Sequence, residues 1–220
     1  SLLDTVMLGQ LGEVAMSGSS LGNQIGFIYQ IMNLGLTAGA GVLTSQYWGR
    51  KDSVSIRKVM SMAYKISMTL AAIFTILALT IPDILMSFYT KEPEVIEAGA
   101  QYLRIIAFTY LVSGFTMTSM SILRTVGTVK ITLYMYIISF FVNVFFNYCL
   151  IFGHFGFPQM GIVGAAIATL IARVVECMII VVYVFRIDKK IGFQVQDIFQ
   201  KIDREILGIY MRYGAPVLCN

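Results

Sequence analysis

What this 220-residue chain has little of narrows it first. It holds three cysteines and one histidine. Cys149 and Cys177 lie in apolar runs and Cys219 near the end, a spacing that makes neither a metal-ligand set nor a disulfide framework, so they read as packing residues. The lone His154 falls in a short connection, where solvation accounts for it. A phosphate-cradling glycine loop, an HExxH helix, a GxSxG elbow and paired Cys/His ligands are all missing, which argues against an enzyme and for no bound cofactor or metal. Charge is scarce as well, at 13% of residues. A net charge of +4 raises nucleic acid as a partner, but the Lys and Arg residues gather in the gaps between apolar runs, the pattern of loops that stay in the cytoplasm. That excludes nucleic acid. Residues 1–11 offer no basic segment and no small-residue cleavage site of a secretory signal, and read as the outer end of a truncated helix.

What is present is apolar length. At 57% hydrophobic residues and a mean hydropathy of +0.77, the chain uses a bilayer as solvent, so the expected fold class is an all-α, multi-pass membrane protein. After the first fragment and a polar turn at Gly12 and Glu13, the expected spans are Leu21 to Trp48, Val59 to Ile81, Ala98 to Ile122, Ile131 to Phe152 and Gly161 to Phe185. Residues 186–213 alternate charged groups with Phe193, Val195, Ile198, Phe199, Ile202, Ile206 and Leu207, and read as an amphipathic helix on the membrane surface. Residues 214–220 read as the start of a further span. The domain reading is therefore a lobe over 1–185, a cytoplasmic connection over 186–213 and the beginning of a second lobe.

Lys and Arg orient the lobe. Arg50, Lys51, Arg57 and Lys58 fall on one side with Arg124, Lys130 and the segment from Arg186 to Arg212, whereas Lys91 stands alone among acids on the other. The loops at 49–58, 123–130 and 186–213 are thus expected in the cytoplasm, and the protein in the cell membrane. Orientation lets depth be compared by counting about 1.5 Å per residue from the outer ends. Asn147, Tyr102, Thr169 and Asp4 then share one slab about 8 to 13 Å below the outer surface, with Asn143 one turn deeper on the Asn147 face. Polar groups at that depth are expensive unless they face one another, a cavity or a ligand, and an acid among them is a functional candidate. Nearer the cytoplasm Lys65, Arg173 and Glu176 form a second polar set, Arg173 and Glu176 being three residues apart on one face. Met117, Met120 and Met135 offer a soft surface for varied apolar ligands.

Several stretches match one family pattern: Asp4 with Met7-Leu-Gly-Gln-Leu-Gly12, Ala38 to Gln46 with Gly49-Arg-Lys-Asp52, Tyr102-Leu-Arg104, Asn147 to Gly153, and Pro158 to Thr169 with Arg173. This resembles the multidrug and toxic compound extrusion (MATE) family, over about the first half of its twelve-helix chain. The resemblance implies a six-helix lobe of a two-lobe transporter exporting organic cations in exchange for protons or sodium ions, monomeric in the bilayer. It also implies a cation-coupling cluster onto which Asp4, Tyr102, Asn143 and Thr169 map. Asn147 departs, standing where many members carry an Asp, which loads the titration onto Asp4. A lipid-linked oligosaccharide flippase of the same superfamily is the alternative, disfavoured because no basic residue falls in the outer slab. A receptor or assembly subunit that transports nothing is the third.

Overall fold

The computed structural model describes residues 2–200, 206–210 and 212. Among them the chain is helical without a strand: α1 (Leu2–Gly9), α2 (Glu13–Gly49), α3 (Ser53–Thr80), α4 (Pro82–Ser87), α5 (Pro93–Thr125), α6 (Lys130–Phe152) and α7 (Gly161–Val182). α7 runs on through a π turn, Tyr183–Ile187, and a 3-10 turn follows at Val195–Phe199. Five of these helices are long and apolar enough to cross a bilayer. In lipid the backbone must satisfy its own hydrogen bonds, which is why each apolar run closes into a helix. The expected multi-pass, all-helical class is what the chain has.

The helix ends follow local chemistry more closely than hydropathy does. α2 starts at Glu13, eight residues before the expected Leu21, because small and polar residues are no obstacle to a helix that packs on both sides. α3 starts at Ser53 because Asp52 caps it: the Ser55 amide and hydroxyl both donate to the Asp52 carboxylate, at 3.0 and 2.5 Å. Those bonds, the hydroxyl one foremost, hold the Asp52 carboxyl below the usual carboxylate range. α4 and α5 each open on a proline, whose missing N–H is no loss in a first turn.

The largest departure is beyond Arg186. Among the described residues there is no single amphipathic helix lying on a surface: the chain is extended or turned from Asp188 to Gln194, then makes the 3-10 turn, and is helical again at 206–210. Ile191 and Phe193 are buried, as are Ile206 and Tyr210, whereas Val195 and Phe199 are exposed. The apolar side chains find a protein core to enter, and following it breaks the helical period. Ile202, Cys219 and the expected start of a further span lie outside the described residues.

The chain divides into two compact units: unit 1 is Ser1–Tyr29, Ala72–Val112 and Ile137–Val175, and unit 2 is Gln30–Ala71, Ser113–Tyr136 and Glu176–Asn220. α2, α3, α5, α6 and α7 each contribute to both. The core of unit 2 gathers Leu43, Met60, Tyr64, Leu123, Met135, Ile180, Val184 and Phe193. Met120 and Met135 are thus core residues, while Met117 takes a hydrogen bond from Asn33 at 3.5 Å. In unit 1 a close approach decides the packing. A Cβ on Gly164 of α7 would stand 2.5 Å from the Leu150 carbonyl oxygen of α6, so only glycine lets these two helices meet there.

Candidate functional site

α6 presents Asn143 and Asn147 one turn apart, and α1 brings Asp4 to them. The Asn147 side-chain amide donates to the Asp4 carboxylate at 2.5 Å and to the Asn143 amide oxygen at 3.2 Å. Asp4 is 3% exposed and Asn147 not at all. A buried hydrogen bond in low dielectric gains strength that the same bond lacks in water. Two further oxygens of unit 1, Asn147 Oδ1 and Thr169 Oγ1, are buried with no hydrogen-bond partner. Unpartnered buried oxygens are costly and mark places where an ion, a proton carrier or a rearranged partner completes the set.

Tyr102 joins from α5. Its ring lies against α2 where a Cβ on Gly22 would come 2.9 Å from Cδ1, and its hydroxyl donates to the Asn23 amide oxygen at 3.1 Å. Tyr102 also interacts electrostatically with Asp4 and with Arg173. All five residues expected in the outer polar layer, Asp4, Tyr102, Asn143, Asn147 and Thr169, fall in unit 1. Arg173 falls there too, on α7 three residues before Glu176, the first residue of that helix in unit 2.

Lys65 and the buried Glu176 lie in unit 2, where the Lys65 ammonium donates to the Gln200 carbonyl. Four residues there, Asn33, Ser67, Tyr64 and Ser119, are not candidates by sequence. Asn33, fully buried on α2, accepts a hydrogen bond from Ser67, which also reaches the Gly114 carbonyl at 3.4 Å. Tyr64 and Ser119 share one at 2.7 Å. Asn23 and Asn33 carried the signal that singled out Asn143 and Asn147, an amide inside an apolar run, but the many small residues of α2 drew attention to packing instead. His154, exposed, stacks on Tyr148 at 4.4 Å.

A family model described as MatE matches residues 1–149. The chain belongs to the MatE family. Two curated relatives named "Probable multidrug resistance protein NorM" are similar along most of it. The one from Rhizobium meliloti (strain 1021) is 28% identical over 97% of this chain and 46% of its own. The one from Thermotoga maritima is 31% identical over 84% of this chain and 40% of its own. This MatE chain thus spans about half the length of the curated relatives it matches. A crystal structure of MATE in the bent conformation shares its fold, with a TM-score of 0.88 at 23% identity over 99% of this chain and 47% of that one.

Proposed function

We propose that this chain is the cation-coupling lobe of a membrane antiporter that exports organic cations in exchange for protons or sodium ions. The observation that carries the reading is the buried contact between Asp4 and Asn147, next to Asn143. An acid sealed from water at this depth is stable charged only while donors face it, and neutral, or bound to a hard cation, when they turn away. The carboxylate and the unpartnered oxygens of Asn147 and Thr169 are hard donors suited to either ion. If lobe closure dries the site, ion occupancy is favoured in one state and release in the other, which is the differential affinity that alternating access requires. The names of the curated relatives support drugs as cargo. In the same reading unit 2 faces the cytoplasm through its basic loops.

The test is transport by the full-length protein in proteoliposomes with imposed proton or sodium gradients. Asp4→Asn keeps shape and hydrogen bonding but removes the titration, so it should fold, bind substrate and lose gradient-driven export, while Asn147→Asp retains export. Export at the wild-type rate from Asp4→Asn would move the coupling site outside this lobe. Arg173, in unit 1 with Tyr102 and Asp4, gives the flippase as a second reading, since a guanidinium suits a lipid-linked phosphate. Transfer of a lipid-linked oligosaccharide across the vesicle bilayer, without export of any organic cation, would favour it.

A further inference from the structure

After α7 the chain stays with unit 2, and residues 188–200 form a strap held by side chains. Three residues spaced four apart on one face of α3 donate to its main-chain carbonyls: Arg57 to Gly192 at 3.4 Å, Ser61 to Ile198 at 3.3 Å, and Lys65 to Gln200. Lys190 fastens the other side, donating to the Val126 carbonyl at 3.0 Å and the Thr128 hydroxyl at 3.2 Å. The strap's backbone bonds are local, from Asp188 N to Tyr183 O, around the 3-10 turn, and from the Ile191 and Gln194 amides to the Asp188 and Asp197 carboxylates. An element tied by long side chains rather than by a ladder can detach without unfolding its neighbours.

The strap delivers Phe193, 2% exposed, into an aromatic cradle. Its ring stands edge-on to Tyr64 at 5.6 Å and lies 5.9 Å from Phe185. Tyr64 stacks on Phe115 at 4.6 Å with planes 7° apart, and Phe115 on Phe185 at 6.4 Å. Phe185 belongs to the π turn, a widened helical turn of the kind that recurs at functional sites. The α7 face formed by Ile180 and Val184 packs into the same cluster, and one turn earlier on that face is the buried Glu176. Aromatic faces with a carboxylate on the adjoining helix are the chemistry that holds an organic cation bearing a ring.

We propose that the cradle of Tyr64, Phe115 and Phe185 is a binding site for small aromatic organic cations, which Phe193 of the strap occupies as a built-in competitor. Lys65 is then a fastener of the strap and Glu176 the counter-charge for the ligand. The proposal takes only the ligand class from the transport reading. The experiment uses the full-length protein in nanodiscs and radiolabelled benzyltrimethylammonium, whose ring matches that of Phe193, in a scintillation proximity assay. Phe193→Ala should bind the probe more tightly than wild type by on the order of tenfold, the scale of a desolvated cation–π contact. Lys65→Met, which loosens the strap without touching a ring, should move the same way by less. Adding Glu176→Gln to Phe193→Ala should remove the gain. Unchanged affinity in both single variants, or a gain that survives Glu176→Gln, overturns the site; if Phe193→Ala does not fold, Lys65→Met decides alone. Export measured on the same proteins separates the two readings. Unchanged binding beside intact export sinks the cradle and leaves transport standing, whereas tighter binding without any export does the reverse.

Discussion

The two units use the same helices to opposite electrostatic ends. Unit 1 contains six acids, Asp4, Glu13, Asp83, Glu92, Glu94 and Glu97, against Lys91, Arg104 and Arg173, whereas unit 2 contains thirteen bases against six acids. In unit 1 Asp4, Asn143 and Asn147 answer one another through side chains, and three buried oxygens, those of the Tyr110, Asn147 and Thr169 side chains, are left over. In unit 2 the cations go to main-chain carbonyls, as Arg57, Lys65 and Lys190 do. A charge inside an apolar span therefore need not be a transport group: Lys65 bonds to a main-chain carbonyl, whereas Asp4 meets a side-chain amide.

That contrast can be broken from either side. The largest effect belongs to Asn147→Leu, which leaves Asp4 without the amide that faces it. It should cost about 2–3 kcal/mol, the scale for removing a buried hydrogen-bond donor from its polar partners, read as thermal stability in detergent at neutral pH. A loss under about 1 kcal/mol would mean that Asp4 is neutral or otherwise served. In unit 2, Ser67→Ala strips a buried neutral bond to Asn33 and should cost about 1–2 kcal/mol by the same measurement. A cost equal to that of Asn147→Leu would erase the distinction between the units.

Two smaller effects sharpen it. Asp52 has its carboxyl depressed by the Ser55 bonds, so the cap's stabilisation is present above the ordinary carboxylate pKa and is lost as the pH falls through the lowered one. Asp52→Ala should lower Tm slightly at neutral pH, and melts of both proteins should converge in acid; a gap that persists in acid would assign the loss to packing. The exposed pair Arg104 and Asp83, 3.3 Å apart, should be nearly silent: Asp83→Asn is expected to change stability by about 0.5 kcal/mol or less, less still in high salt.

The sequence made the spans legible because hydrocarbon depth imposes a length, and it made Asn143 with Asn147 legible because a four-residue spacing fixes a shared face. It also grouped Asp4 with them by counting residues, and the structure joins Asp4 to Asn147. Three things were out of reach. The start of α2 was hidden because Ser17, Ser19 and Ser20 lower hydropathy without breaking a helix. Asn33 was hidden because the many small residues around it on α2 read as a packing surface. The strap was misread as a surface helix because its apolar residues alternate with charge, and only the aromatic cradle shows where Phe193 goes.

Neither unit is a continuous piece of chain. Unit 1 is assembled from three separated segments, and the contact that defines its site joins residues 143 positions apart. During synthesis Asp4 enters the membrane before its partner amide exists, and it waits while α2, α3 and α5 are made. Such a long-range closure is slow and leaves an acid exposed to lipid or to the insertion machinery in the interval. α1 thus depends on a helix not yet translated when it is made, and a ribosome stalled before α6 would hold a nascent chain in which Asp4 has not yet met the Asn147 amide.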